Sequence, residues 1–156
     1  MRVAVAGTFG PLHDGHRALF RTALERGGGG VVVGVTSDDL AQETRTKPRP
    51  VPPFEERRES VRSELDELDE WGRDIEVRRL TDRFGFAASE AAIDALVTSP
   101  ETCGELAEIN RRRATNGFDP IEGIVVPYVR AADGERISST RLVHGKIDEH
   151  GDILEG

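Results

Sequence analysis

His13 and His16, three residues apart, flank Gly15 in the stretch Thr8-Phe9-Gly10-Pro11-Leu12-His13-Asp14-Gly15-His16. The stretch directly follows the short apolar run Val3-Ala4-Val5-Ala6, between a first strand and a first helix. Imidazoles at this spacing around a helix start can face one ligand together. A helix N-terminus favours an anionic group such as a phosphate, and Gly15 leaves room for it to approach the backbone. Near the other end, Ile137-Ser138-Ser139-Thr140-Arg141 places hydroxyls and a cation where a short helix should begin. Taken alone, the histidines could merely cap and pack a loop, and the serines could cap a surface helix. Together the two clusters point to phosphate handling. No metal centre is read from them, because no third histidine or cysteine stands at ligand spacing.

The elements that must position these residues alternate between strand and helix patterns. Residues 2–6 read as a strand, and Asp14–Arg26 as a helix with Leu19, Phe20, Ala23 and Leu24 on one face, ended by glycines 27–30. The β-branched run Val31–Thr36 has the look of a strand buried on both faces. Residues 42–53 are polar and proline-rich and predict a loop, and residues 54–70 predict a charged helix with Val61, Leu65 and Leu68 as its stripe. Ile75–Leu80 and residues 93–98 read as strands, with irregular chain and a short helix from Phe86 between them. Ser99-Pro100 carries the signature of a helix N-cap, opening a helix to about Ala114 in which Arg111, Arg112 and Arg113 form a solvated face. A last strand over residues 121–129, bent or at an edge because of Pro127, precedes a short helix starting at Ser138 or Ser139. The expected fold is α/β: a Rossmann-like, doubly wound sheet of about five parallel strands with right-handed crossovers and helices on both faces. Such sheets bind ligands beyond the carboxyl ends of their strands, at the switch point the first strand usually borders. That puts residues 8–16 at the crevice.

At 156 residues the chain is read as one domain, long enough for a sizeable core. With 29 acidic against 21 basic residues it is a poor candidate for nucleic-acid or membrane-surface binding, so an anionic substrate must meet a local basic patch. The single cysteine, Cys103, excludes an intramolecular disulfide and suits a reducing cytosol. The N-terminus enters a strand at once, which argues against a signal peptide, and no apolar run approaches the ~18 residues of a membrane span. A cytoplasmic setting is expected.

The strings GTFGPLHDGH and ISSTR resemble the motifs of the HxGH nucleotidyltransferase superfamily. More narrowly, the chain resembles the archaeal-type phosphopantetheine adenylyltransferases and the corresponding domain of eukaryotic coenzyme A synthase. VGVTSDDLA, TKPRPVPPFEERRESV, ALVTSPET and GIVVPYVRAADGERISSTR carry the likeness along nearly the whole chain. The resemblance implies transfer of an adenylyl group from ATP to 4′-phosphopantetheine, giving dephospho-coenzyme A and pyrophosphate in coenzyme A biosynthesis, with Mg2+ accompanying the ATP. The implied partners are these two small molecules, with no nucleic acid or membrane. His16 matches the catalytic histidine, and His13 the first motif position, in contact with ATP phosphates. Gly7, Thr8 and Phe9 would lie along the phosphates, with Thr8 reaching both substrates. Ser138, Ser139, Thr140 and Arg141 would hold the β- and γ-phosphates. Lys47 matches the lysine that takes the phosphate end of phosphopantetheine and joins His16 as a catalytic residue, and Ser37, with Asp38, would line the pantetheine channel. Where bacterial enzymes carry an arginine-glycine segment that contacts ATP, this chain has Val97-Thr98-Ser99-Pro100-Glu101-Thr102, which fits the archaeal and eukaryotic-like branch. Two alternatives stay open: another member of the superfamily, such as a cytidylyltransferase or a nicotinamide mononucleotide adenylyltransferase, and a non-catalytic nucleotide-binding domain.

Lys47 and Lys146 are the only lysines among the 21 basic residues. Acidic excess with scarce lysine suits a halophilic protein, whose self-repulsion is screened by salt; arginine-rich codon usage in a high-GC genome would leave the same trace. The halophilic reading predicts that molar potassium chloride raises the melting temperature. A melting temperature that stays high and flat from low to molar salt assigns the bias to codon usage.

Overall fold

The alternation of the first strand decides which side chains meet which helix layer. In β1 (Val3–Gly7), Val3 and Val5 join one apolar cluster and Ala4 joins another, as period-two geometry requires of a strand covered on both faces. The computed structural model describes residues 1–43, 51–82, 84–100 and 104–154. Within them lie helix α1 (Asp14–Arg26), β2 (Val31–Thr36), α2 (Asp38–Glu43), α3 (Phe54–Leu68), β3 (Ile75–Leu80), α4 (Gly85–Ser89), β4 (Ala95–Thr98), α5 (Glu105–Thr115), β5 (Glu122–Val125) and α6 (Ser139–Val143). The five strands form one parallel sheet in the order β3-β2-β1-β4-β5. The Rossmann-like architecture expected from the sequence is the one present. Among the described residues no helix is long and apolar enough to cross a membrane.

One face of the sheet packs α1 and α3, where Phe20, Leu24, Val61 and Leu65 meet Val3, Val5, Val33 and Val35. The other packs α4 and α5, where Ala87, Ala88 and Ile109 meet Ala4, Val32 and Leu96. On this second face the sheet is lined with small residues. A Cβ at Gly34 would stand 2.8 Å from the Phe86 ring, so glycine there lets α4 lie close. Near the end of the central strand Ala6 is exposed, an unusual state for the middle of a parallel sheet. It marks the floor of a crevice at the switch point, between the carboxyl ends of β1 and β4.

Local details differ from the sequence reading in instructive ways. Helix α2 opens at Asp38 immediately after β2: Ser37 caps it, its Oγ accepting from the Leu40 amide at 3.2 Å. Helix α3 stops at Leu68 because the Asp69 carboxylate takes the amides of Trp71, Gly72 and Arg73 into a turn. Ser99 does not cap α5, which starts at Glu105; a residue before proline favours extended backbone, and Ser99, just past β4, lines the crevice. Strand β5 is indeed an edge strand, ending before Pro127.

The triple arginine is the clearest correction. Arg111 is exposed, and Arg112 pairs with Glu108 and lies over the Phe84 ring at 4.3 Å. Arg113, four residues after the buried Ile109, turns inward and is only 2% exposed. It donates to the carbonyls of Asp119, Ala87 and Glu90 at 2.7–2.9 Å, and to those of Ala91 and Ile93 at 3.4 Å. One guanidinium thus joins α4, the chain entering β4 and the turn after α5. Arg113→Leu should lower the unfolding free energy by about 3 kcal/mol, because buried carbonyls lose their donors. Arg111→Leu, at the surface, should change it by less than about 0.5 kcal/mol. Urea titration of both variants checks the contrast.

Candidate active site

The crevice is a cavity of about 600 Å³, lined by both motif clusters and by the carboxyl ends of β1 and β4. His13 is the N-cap residue of α1 and is nearly buried. Its Nδ1 accepts from the Gly15 amide at 3.0 Å, while the His13 amide donates to His16 Nδ1 at 3.3 Å. The two rings stack at 3.8 Å between centroids. With each Nδ1 accepting from the backbone, a neutral imidazole at either position carries its proton on Nε2. The capping geometry therefore makes both histidines donors at Nε2. It also explains the glycine: a Cβ at Gly15 would stand 2.7 Å from His13 Cε1.

Phe9 anchors the loop from below. Its φ of 54° lies in the left-handed region, which a bulky residue adopts only when its surroundings hold it there. The buried ring meets His16 edge-on at 5.2 Å and Phe20 at 5.1 Å. On the far side Ser138 caps α6, its Oγ accepting from the Arg141 amide at 3.2 Å, which keeps its own hydroxyl hydrogen as a donor. Ser139 donates to the Pro11 carbonyl at 2.7 Å and so ties the second motif to the first. The cavity wall includes Ser138, Ser139 and Thr140. Arg141 reaches away to Asp133 and to the Arg136 carbonyl at 3.0 Å, and its hydrogen bond holds the Asp133 carboxyl below the usual range.

Gly7, Phe9, His13, His16, Ser138, Ser139 and Thr140 thus converge on one cavity. Thr8 lies beside it, its hydroxyl accepting from the Thr36 hydroxyl at 3.2 Å. Ser37 is occupied at the start of α2 and is not part of the cavity wall. Lys47 lies outside the described residues, as does Thr102. Two groups of residues escaped the sequence reading. One is the apolar group Leu80, Phe84, Phe86 and Ile109 in the cavity lining; the pair of phenylalanines just past the end of a strand was its signal. The other is Arg57, 1% exposed, which occupies the apolar stripe of α3 between Phe54 and Val61. An arginine in an apolar register was the signal there.

Residues 4–145 match the family model described as cytidylyltransferase-like. A phosphopantetheine adenylyltransferase from Methanopyrus kandleri is 43% identical over 95% of this chain and 91% of its own length. One from Archaeoglobus fulgidus is 38% identical over 99% and 100% of the two chains. A crystal structure of a protein of unknown function from Archaeoglobus fulgidus superposes with a TM-score of 0.70 at 35% identity, covering 81% of this chain and 89% of that one. The chain belongs to the cytidylyltransferase-like family and, within it, to the family of the archaeal phosphopantetheine adenylyltransferases.

The helix that carries the histidines is braced by the C-terminal segment. The Asp14 amide donates to the Glu149 carbonyl at 2.9 Å, and the Asp14 carboxylate meets Arg17 at 2.8 Å and His150 Nδ1 at 3.1 Å. Burial opposes ionisation of Asp14, but the hydrogen bonds from Arg17 and His150 outweigh it and keep its carboxyl below the ordinary value. The hydrogen bond to Asp14 raises His150 above its ordinary 6.5. A histidine raised on folding adds stability that is full below about pH 6.5 and fades as the pH climbs through the raised value. The melting temperature should therefore fall across that window in the parent protein, and His150→Gln should remove this part of the pH dependence.

Proposed function

We propose that this chain transfers the adenylyl group of ATP to 4′-phosphopantetheine, forming dephospho-coenzyme A and releasing pyrophosphate. The observation that carries the reading is the convergence of both phosphate motifs on one crevice, with the histidine rings presenting Nε2 as donors. A phosphate oxygen of phosphopantetheine attacks the α-phosphorus in line. A new phosphorus–oxygen bond forms as the bond between the α-phosphorus and the bridging oxygen breaks, and that oxygen leaves with pyrophosphate. The nucleophile is already anionic, so the protein needs no strong base; it must place two anions and stabilise charge on the α-phosphate.

In this reading His16 donates from Nε2 to an α-phosphate oxygen, and His13 contacts the phosphates beside it. Ser138 and Thr140 offer hydroxyl donors to the β- and γ-phosphates, while Ser139, bound to the Pro11 carbonyl, holds the two motifs in register. Family resemblance also assigns Arg141 to these phosphates; its guanidinium is paired with Asp133 and does not line the cavity. The apolar wall of Leu80, Phe84, Phe86 and Ile109 suits the uncharged pantetheine arm better than a second nucleotide. Family resemblance places Lys47 on the acceptor phosphate. Magnesium would be carried by the triphosphate and would offset its charge. Among the described residues no group of three or more His, Cys, Asp or Glu side chains converges to hold an ion, and magnesium is commonly held by phosphate oxygens and water.

The test is turnover with ATP and phosphopantetheine, set against cytidine triphosphate and against nicotinamide mononucleotide as acceptor. Pyrophosphate release with the first pair alone is the expected result; preference for either other substrate overturns the assignment, and no turnover with any pair favours a binding domain. His16→Ala should lower kcat roughly 10²–10³-fold while leaving ATP affinity within a few-fold. Near-normal turnover in that variant would remove His16 from the chemistry.

A further inference from the structure

Arg57 lies under the phosphate loop and is held by four partners. Its Nε donates to the Pro52 carbonyl at 2.7 Å, Nη1 to the Thr8 carbonyl at 2.9 Å and the Thr36 hydroxyl at 3.3 Å, and Nη2 to Asp38 Oδ1 at 2.9 Å. These partners come from the end of β1, the end of β2, the first turn of α2 and the residue before the N-cap of α3. The packing leaves no slack, since a Cβ at Gly10 would stand 2.6 Å from Arg57 Cδ. The hydrogen bonds also have a direction. Thr36 accepts from the guanidinium and donates its own hydrogen to Thr8 Oγ1 at 3.2 Å. In this arrangement the Thr8 oxygen accepts, which leaves the Thr8 hydrogen turned away from Thr36, as a donor.

We propose that Arg57 is a positioning residue that works through Thr36: the relay Arg57–Thr36–Thr8 fixes the Thr8 hydroxyl as a hydrogen-bond donor to substrate phosphate and pins the loop 8–10 in its left-handed turn. The inference rests on the adenylyl-transfer reading for the ligand that Thr8 meets, and adds two residues, Thr36 and Arg57, that do not line the cavity. The guanidinium pairs with Asp38 at 2.9 Å and does not line the cavity, so the effect of Arg57 is one of orientation. Hydrogen bonds in such a chain polarise one another in a poorly solvated interior. A lysine could not replace the guanidinium, because a point charge on a flexible stem cannot hold four partners in fixed directions.

The experiment is a double-mutant cycle with Thr8→Val, Thr36→Val and the pair, plus Arg57→Lys, with kcat and both KM values measured on variants whose melting curves show them folded. Thr36→Val should lower kcat about tenfold with each KM within about threefold, and the double variant should be no slower than Thr8→Val alone, the non-additivity of residues acting as one unit. Additive losses, or wild-type kcat in Thr36→Val while Thr8→Val is slow, overturn the relay. Wild-type kcat in Thr8→Val overturns it at the other end, by removing Thr8 from the phosphates. A second arm needs no substrate: in Arg57→Lys, amide hydrogen exchange over residues 8–10 should quicken at least tenfold while β2 stays protected. Unchanged exchange overturns the clamp. Absence of wild-type turnover with phosphopantetheine would refute the substrate reading instead, and the exchange arm would still decide on Arg57.

Discussion

Strand β1 has β2 on one side and β4 on the other, and the chain leaves the sheet in opposite directions around it. Everything at the site depends on this switch point. A parallel sheet covered on both faces has no room for a ligand within its body; space appears only where successive crossovers part, above the carboxyl ends of the strands. Small residues enlarge it, so that Ala6 is exposed and Gly34 admits Phe86. The loop after β1 and the helix α1 then enter the crevice with their polar groups toward it.

The helix start is built by its own side chains. Helix N-termini leave backbone donors that must find acceptors, and here His13 and His16 provide them through Nδ1. That satisfaction has a chemical consequence, because it assigns the remaining proton of each neutral ring to Nε2. The caps and the site chemistry are one arrangement. Phe9 in its left-handed turn, and the stacking of the two rings at 3.8 Å, hold it in a single geometry.

Charge is handled locally in a chain whose net charge is −8. The buried and half-buried arginines are not left as bare charges. Arg57 faces Asp38 and carbonyls, Arg113 faces five carbonyls and the Phe118 ring, and Arg17 meets Asp14, Glu64 and Glu149. Each joins segments distant in sequence, a task suited to a planar group with five donors. The C-terminal segment belongs to the same network: Glu149 and His150 grip the first turn of α1, and the buried Ile147 packs with Ile137 just before Ser138. Both phosphate motifs are thereby tied to one segment.

The residues that announce phosphate chemistry were legible in the sequence because their meaning is local. A histidine pair after a strand and hydroxyls before a short helix are both defined by neighbours within a few positions, and the strand–helix alternation that places them follows from side-chain periodicity. The α/β class, the parallel sheet and the edge position of β5 come from the same local patterns. What only the tertiary structure decided was the use of long polar side chains. Arg57 and Arg113 stand in charged runs, Glu55-Glu56-Arg57-Arg58 and Arg111-Arg112-Arg113, that look solvated. The helical register marks which guanidinium turns inward, but nothing in those runs says that it meets a carbonyl 49 residues away, the separation between Arg57 and Thr8. The same holds for Ser139, whose partner Pro11 is 128 residues distant. Such contacts have no period and no spacing. They exist because the fold leaves buried backbone carbonyls that need donors, and a donor can be chosen only once the sheet has brought its acceptors together.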